Sequence, residues 1–591
     1  MNILGIVDIK KPTHDNSVVI LSDGKILYAE AGERATRIKH DDNFPISSLA
    51  NAFSYTKLKA KDIDYLAIAS PDPKFSSLIF ARNYGIDTLR CVLNIFKSDP
   101  LGFSGEVFKK AKKFLYREGY VNKDNGLEIL GLSKIPYVKV CHQTSHAAAA
   151  YYGSGFKERC LSISLDGCGP TLDGRFISGS VFVCENGQMT KVDEVPPYAT
   201  FGGLYSAITQ VLGLKAGDGE YKTMGLASYG DPEICYEEIK KLYPYFKNGK
   251  WFVSKYWIDS YTFMEERIYS KTKLFSILSD LRKNNKDEDI AAGLQKVFEE
   301  RVLEYLRYLS DKFECNNFTC AGGIFLNVVL NRKLLEQDFC KKLFVYPNAG
   351  DCGISLGAAY YLYNQKTKKV PRKIDSLYFG IGFKEKQYKD YINKYKDQLK
   401  VIKCKNIAKY TAKKITEGKV IGWFQGRSEW GPRALGNRSV VADPRKKAMK
   451  DRINQTLKAR DWFMPFAPSM LDEYKEEYFE LVKNKVYFMQ FMLLAFKVKK
   501  GKEEFPAAMH IDGTSRPQTV KKSDNPLYYQ LIKEFLNLTG VPAILNTSFN
   551  KHGLPIINTP QDAIEHLLWG CVDCLVIGNY YIERKYTPSS R

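Results

Sequence analysis

The sequence predicts an α/β protein in two parts: an N-terminal region whose strand-and-turn plan occurs twice, and a second α/β domain beyond a basic connector. Three observations carry this reading. First, "NILGIVD" (2–8) and "NSVVILSDGKILYAEAGERATR" (16–37) read as strand, strand, Asp23-Gly24 turn and strand, from β-branched content and turn chemistry. Second, "CLSISLDGCGPTLDGRFISGSVFVCENGQMTKVDEV" (160–195) repeats the plan: apolar strand, Asp-Gly turn, strand, Glu-Asn-Gly-Gln turn, strand. Third, "NQKTKKVPRKID" (364–375) holds five basic residues, a proline and no acid before Asp375, the composition of an exposed connector.

Each β-meander is followed by helical sequence, so two similar lobes facing a cleft are expected within residues 1–370. After the connector, "VIGWFQG" (420–426) and "PAILNTSFN" (542–550) are strand candidates alternating with helical stretches, which places the second domain at 378–591. At 591 residues the chain is long enough for about three to five folding units. Hydrophobic content of 44% with 13% aromatics excludes a disordered chain. No run reaches the roughly 18 apolar residues of a membrane span; the nearest, "YFMQFMLLAF" (487–496), is expected as a core element. The N-terminus lacks a basic prefix, a long apolar run and a small-residue cleavage site, so a cytoplasmic location is expected. Thirteen cysteines without a framework fit reduced thiols, and Cys571 and Cys574 form a single C-x-x-C with no second pair.

The net charge of +22, from 88 Lys+Arg against 66 Asp+Glu, attracts polyanions over long range. "KKAKKFLYR" (109–117) concentrates it, with Lys109, Lys112 and Lys113 on one helical face. A solubilising surface accounts for such charge equally well.

Of only seven histidines, His142 and His146 stand four apart in the alanine-rich "CHQTSHAAAAYYG". On a helix that spacing brings two imidazoles within reach of one ion. Asp351, in the glycine-flanked "NAGDCG", and Asp166, at the tip of "SLDGCG", are candidate carboxylate ligands. Two nitrogens with one or two carboxylates suit iron, manganese or zinc. The glycines of "SLDGCG" and of "CAGGIFLN" (Gly322 and Gly323, with Asn327 closing the motif) have the form that lets a backbone approach a phosphate. Lys222 in "EYKTMGLASYG" is a candidate contact for an anionic substrate. The second domain is denser in cations. Arg427, Arg433 and Arg438 lie in "QGRSEWGPRALGNRS", Lys458 and Arg460 in "KARDWFMPF", and Arg516 in "DGTSRPQTV", while Ser548 and Asn550 lie in "LNTSFN". Arginines grouped around Gly and Pro turns suit an anion site better than a solvated face.

At these motifs the chain resembles the ATP-dependent O-carbamoyltransferase family, which includes the tobramycin, cephamycin and nodulation-factor enzymes. The resemblance runs nearly end to end, through "HDNS" (14–17), "HQTSHAAAAYY" (142–152), "AGGIFLN" (321–327), "NAGDCGISLGAA" (348–359), "GRSEWGPRALGNRSVVADPR" (426–445) and "LNTSFNKHGLPI" (545–556). It implies a first domain of actin/sugar-kinase ATPase type and a second like threonylcarbamoyl-adenylate synthase. It implies a metal site, iron in the family, at His142, His146 and Asp351 with Asp166 adjacent. It further implies that Lys458, Arg460, Ser548 and Asn550 match the K-x-R and S-x-N signatures, with ATP, Mg2+ and carbamoyl phosphate as reactants. His14 matches the family's general base. Carbamoyl adenylate would form in the second domain and its carbamoyl group pass to an acceptor hydroxyl in the first, with Arg427, Arg433 and Arg516 helping to neutralise phosphates. The charge of +22 turns the expectation for the acceptor towards a hydroxymethylated base of DNA or its nucleotide. The alternatives are a small-molecule or sugar hydroxyl, a tRNA threonylcarbamoyl transfer, and a non-catalytic nucleotide-binding module. The chain departs from the family pattern at Lys10-Lys11-Pro12 before His14, at "GERATR", and at "KARDWFMPF".

Overall fold

The computed structural model describes residues 1–7, 15–41, 43–69, 131–257, 270, 272–458 and 461–585. His14, Arg460 and the basic run 109–117 lie outside the described residues. The fold is mixed α/β, and the chain packs as two units. The first takes Met1–Asn16, Asp42–Phe44 and Ala60–Pro371, and the second takes Ser17–Asp41, Pro45–Lys59 and Arg372–Arg591.

The β-branched and apolar runs form β1 (Asn2–Val7), β2 (Ser17–Ser22), β3 (Lys25–Ala31), β4 (Tyr65–Ala69), β5 (Tyr137–Val140), β6 (Cys160–Pro170), β7 (Phe176–Glu185) and β8 (Gln188–Val195). A short hairpin, β9 (Tyr245–Lys247) and β10 (Lys250–Phe252), precedes β11 (Asn317–Ala321) and β12 (Lys342–Val345). One pairing plan occurs twice. β1 pairs in parallel with β4, and β4 with β5, while β2 and β3 form an antiparallel hairpin. In the second set β6 pairs in parallel with β11, and β11 with β12, while β6, β7 and β8 form an antiparallel meander. Strands paired in parallel and covered by helices read as unbroken apolar runs, and Ile3, Leu4, Ile6 and Val7 are all buried.

Two helices set the position of the paired histidines. His142–Ser154 starts directly after β5, and Ile354–Thr367 packs against it. Their backbones approach so closely that a Cβ on Gly357 would lie 1.7 Å from the carbonyl oxygen of Ser145. The second helix runs on to Thr367, so the first residues of the basic connector are helical.

In the second unit β13 (Leu399–Lys403), β14 (Ile421–Phe424), β15 (Arg438–Ala442), β16 (Ala467–Leu471), β17 (Phe496–Lys497), β18 (Thr514–Ser515), β19 (Gln518–Val520), β20 (Ala543–Ser548), β21 (Cys574–Ile577) and β22 (Tyr580–Arg584) succeed one another along the chain. Eight of them make one sheet in the order β13-β22-β21-β14-β15-β20-β16-β19. Helices at Pro526–Thr539 and Pro560–Leu568 begin as local sequence dictates: Asn525 and Thr559 cap them, and proline fills the first turn. The hairpin β2–β3 is held in this unit by hydrogen bonds from Ala29 N to Phe379 O (3.0 Å) and from Arg427 Nη2 to Leu27 O (2.8 Å). Arg37 adds bonds to the carbonyls of Pro555 and Ile556. The stretch 487–496 is largely buried, yet only its last residue enters a strand, β17. Among the described residues no helix is long and apolar enough to cross a membrane.

Candidate functional site

The first unit gathers His142, His146, Asp166 and Asp351 so that one ligand atom from each lies within 4.8 Å of the others. The helical spacing brings the two imidazoles together edge-on, with their Nε2 atoms 3.2 Å apart. Asp166 Oδ2 lies 3.2 Å from His142 Nε2 and 3.8 Å from His146 Nε2, and Asp351 Oδ1 lies 3.6 and 3.5 Å from them. Local structure explains each arrival. The sequence predicts Asp166 at a strand end, but β6 continues to Pro170 through a bulge that sets residues 166–168 against Ser178 alone, between the pairs Leu165–Gly179 and Gly169–Ile177. Such a bulge re-aims a side chain. Asp351 opens a 3-10 turn ahead of the Gly357 helix, whose close approach to Ser145 carries it to the histidines.

This donor set fits a divalent cation. Ligands bound at about 2.1 Å stand roughly 3.0–3.5 Å apart around one ion, close to the separations observed. Burial alone would raise the Asp166 carboxyl, but the hydrogen bond with His142, the charge of both imidazoles and the N–H of Gly323 hold it well below the carboxylate range.

Around the cluster, glycines serve packing. A Cβ on Gly169 would lie 2.3–2.8 Å from His142, so only glycine lets the strand pass beneath that ring. Gly322, at φ +98°, abuts the Leu165 carbonyl, and the Gly323 N–H donates to Asp166 Oδ1 at 2.8 Å. Asn327 caps the helix Val328–Glu336 by accepting from Leu330 N and exchanges two hydrogen bonds with Gln295. Gly322 and Gly323 thus serve packing around Asp166, and Asn327 serves as a helix cap. Lys222 is half-buried on the helix Glu220–Ala227.

The second unit brings Lys458, Ser548 and Asn550 together. A π-helical turn, Asn454–Lys458, ends on Lys458, and such turns recur at functional sites. Its Nζ donates to Ser548 O (2.7 Å), Ser548 Oγ (2.9 Å), Asn550 O (3.1 Å) and Asn550 Oδ1 (2.8 Å). Lys458 is only 5% exposed, and these four oxygens are neutral. The dipoles of these oxygens solvate and orient the buried ammonium.

The arginines divide. Arg427 donates from Nε to Gly380 O and from Nη2 to the carbonyls of Leu27 and Phe379, with Tyr55 beneath it at 4.5 Å. The guanidinium thus braces the β2–β3 hairpin. Arg438 is likewise committed to backbone carbonyls and stacked on Phe424. Burial pushes it down to about 10. Arg433 and Arg516 are half-buried. Arg433 leads into a turn whose N–H groups at Leu435, Asn437 and Arg438 all bond Glu429 Oε1 (2.8, 2.8 and 3.1 Å). Glu429 escaped the sequence reading because a carboxylate among arginines gives no sign that it faces the backbone. His510 escaped it too: burial pushes its imidazole down to about 4, Asp512 opposes this, and Arg516 and Lys450 add to it.

Residues 3–360 match the family described as carbamoyltransferase N-terminus, and residues 412–584 match carbamoyltransferase C-terminus. The nodulation protein NolNO of Sinorhizobium fredii is 34% identical over 580 residues, covering 97% of this chain and 79% of that protein. An uncharacterized protein of Methanocaldococcus jannaschii is 32% identical over 637 residues, covering 98% and 99%. Among solved structures, component A of (R)-2-hydroxyglutaryl-CoA dehydratase from Acidaminococcus fermentans aligns at 17% identity and TM-score 0.34, over 62% of this chain and 100% of that one. Full-length HypF in its phosphate- and nucleotide-bound form aligns at 14% identity and TM-score 0.32, over 63% and 56%. Matched by both family descriptions and by a relative at 34% identity along nearly its whole length, the chain belongs to the carbamoyltransferase family.

Proposed function

We propose that the protein is an ATP-dependent O-carbamoyltransferase that forms carbamoyl adenylate at the Lys458 site and carbamoylates an acceptor hydroxyl at the His142–His146–Asp166–Asp351 cluster. The observation that carries this reading is the buried Lys458 ammonium held by Ser548 and Asn550. A buried ammonium oriented by the oxygens of Ser548 and Asn550 is preorganised for the negative charge that builds on a phosphate during adenylation. Activation balances as carbamoyl phosphate, ATP and water giving carbamoyl adenylate, pyrophosphate and phosphate, with Mg2+ accompanying the nucleotide. Transfer balances as carbamoyl adenylate and an alcohol giving the carbamate ester, AMP and a proton.

Lys458 stabilises charge at the α-phosphate, and Arg433, Arg460 and Arg516 hold the remaining phosphate oxygens. In the first unit a divalent ion, iron or another, would be held by the four clustered residues and supply Lewis-acid charge. The Gly323 N–H orients Asp166 there. His14 takes the proton of the acceptor hydroxyl.

The net charge of +22 favours an anionic acceptor, and the finer reading is a hydroxymethylated base of DNA or its nucleotide. The decisive assay is release of pyrophosphate from ATP dependent on carbamoyl phosphate; uncleaved ATP in the presence of both would end the reading. Binding of a hydroxymethyl-containing oligonucleotide should weaken steeply with salt. Salt-insensitive or absent binding would turn the acceptor towards a small-molecule hydroxyl.

A further inference from the structure

One buried amide touches all three segments that carry Arg433, Arg516 and Ser548. Asn546 lies in β20, two residues before Ser548. Its Nδ2 is 3.0 Å from the carbonyl oxygen of Ala434, 2.9 Å from Ser469 Oγ and 3.0 Å from Gln518 Oε1. Ala434 directly follows Arg433. Gln518 opens β19, two residues after Arg516, and its Nε2 donates to Leu435 O at 2.8 Å. Ser469 Oγ donates to Gln518 Oε1 at 2.6 Å and accepts from Tyr528 OH at 2.9 Å.

The strands set this meeting. β20 lies between β15 and β16, with Asn546 opposite Val441 and Ala467, and Ser469 on β16 is opposite Gln518 on β19. Asn546, Ser469 and Gln518 are all buried. A buried polar trio costs free energy unless bonded, and apolar residues would hold these strands together as well. What the amide adds is a fixed separation between three stretches far apart in sequence.

We propose that Asn546, acting through Gln518 and Ser469, is a positioning residue that fixes the mutual geometry of Arg433, Arg516 and Ser548 so that they address one anionic substrate. It acts through these neighbours and touches no substrate itself. The proposal rests on the carbamoyl-adenylate reading of the second unit.

The test compares Asn546→Ala, Gln518→Ala and their double variant in the full chain, by steady-state pyrophosphate release and by thermal unfolding. Displacing an oriented group by about 1 Å costs on the order of 100-fold in rate, so Asn546→Ala should lose about that in kcat/KM, with a raised KM for ATP. Gln518→Ala should lose about tenfold, and the double variant about as much as Asn546→Ala alone, because the two side chains act as a unit. A purely structural role would lower the unfolding temperature while leaving the KM of the folded fraction unchanged. That result, or fully additive losses, overturns the proposal. Should Asn546→Ala fail to fold, Gln518→Ala and Ser469→Ala decide it by the same KM criterion. Wild-type protein that releases no pyrophosphate removes the carbamoyl-adenylate reading and the proposal with it, whereas active wild type with unaltered variants removes the proposal alone.

Discussion

The two sites gather groups of opposite kind. In the first unit four donor atoms converge, two imidazole nitrogens and two carboxylate oxygens. In the second the positive charge is resident on Lys458, held by the oxygens of Ser548 and Asn550. Each is arranged by backbone features rather than by long flexible side chains. A bulge and a close helix crossing build the first; a π-helical turn and a strand end build the second.

The largest effect that would break this contrast is at Lys458. Lys458→Ala should lower carbamoyl-phosphate-dependent pyrophosphate release by about 100- to 1000-fold, the scale of removing one preorganised donor. Metal bound per chain, measured by elemental analysis, should not change. A variant that keeps its pyrophosphate release would show that the ammonium serves folding alone.

Next in size is the reverse experiment. Gly169→Val pushes a side chain into the space of the His142 ring, and Gly357→Val drives one into the Ser145 carbonyl. Both should weaken binding of a divalent ion by about 10- to 100-fold, as loss of ligand support does elsewhere. Both should leave pyrophosphate release within about twofold, since only the transfer cluster is disturbed. Equal loss of both activities would mean that the two sites cannot be separated.

The contrast extends to pH. In the first unit, burial pushes Glu299 up to about 7, although Gln295 donates to it. In the second, burial pushes His566 down to about 4. Between pH 4.5 and 7 the folded Glu299 holds a proton that the unfolded chain has released, so the first unit loses stability as pH rises through that window. Between pH 6.5 and 4 the unfolded chain binds a proton that buried His566 refuses, so the second unit loses stability as pH falls. Each gap spans about 2.5 pH units, or at most about 3 kcal/mol, and less for Glu299, which keeps part of its contact with water. Calorimetry from pH 7 to pH 5 should move the two unfolding transitions in opposite directions. Glu299→Gln and His566→Phe should each flatten one of them, and parallel movement in both variants would refute the assignment.

Sequence reading reached the sites unequally. The histidine pair was legible because a helical period of 3.6 turns a spacing of four into a distance, and Lys458, Ser548 and Asn550 were legible because the resemblance aligned them. The bulge that delivers Asp166 was not, since a bulge is a register shift between two strands and appears in neither strand alone. The hairpin β2–β3 reads as part of the first lobe from chain order, but Arg37 and Arg427 hold it to the second unit through backbone carbonyls that carry no side-chain signature. Glu429 escaped for the same reason, since its partners are main-chain N–H groups, and Asn546 escaped because its partners lie on segments far away in sequence.

The smallest effect concerns Arg427, the residue for which the two kinds of reading disagree most. An arginine between glycine and serine in a cation-rich motif invites a phosphate. In the folded chain its Nε and Nη2 donors end on the carbonyls of Gly380, Leu27 and Phe379, and its flat face lies on Tyr55. Lysine at that position keeps the charge but cannot reproduce the fork or the stack. Arg427→Lys should therefore lower the unfolding free energy by about 1–3 kcal/mol through unpaired carbonyls. The KM for ATP should change less than about twofold, because a brace contributes no differential binding. A phosphate ligand would behave in the opposite way, with a raised KM at unchanged stability. Urea unfolding combined with initial-rate kinetics on this one variant therefore separates a cation that receives substrate from one that holds the site's surroundings in place.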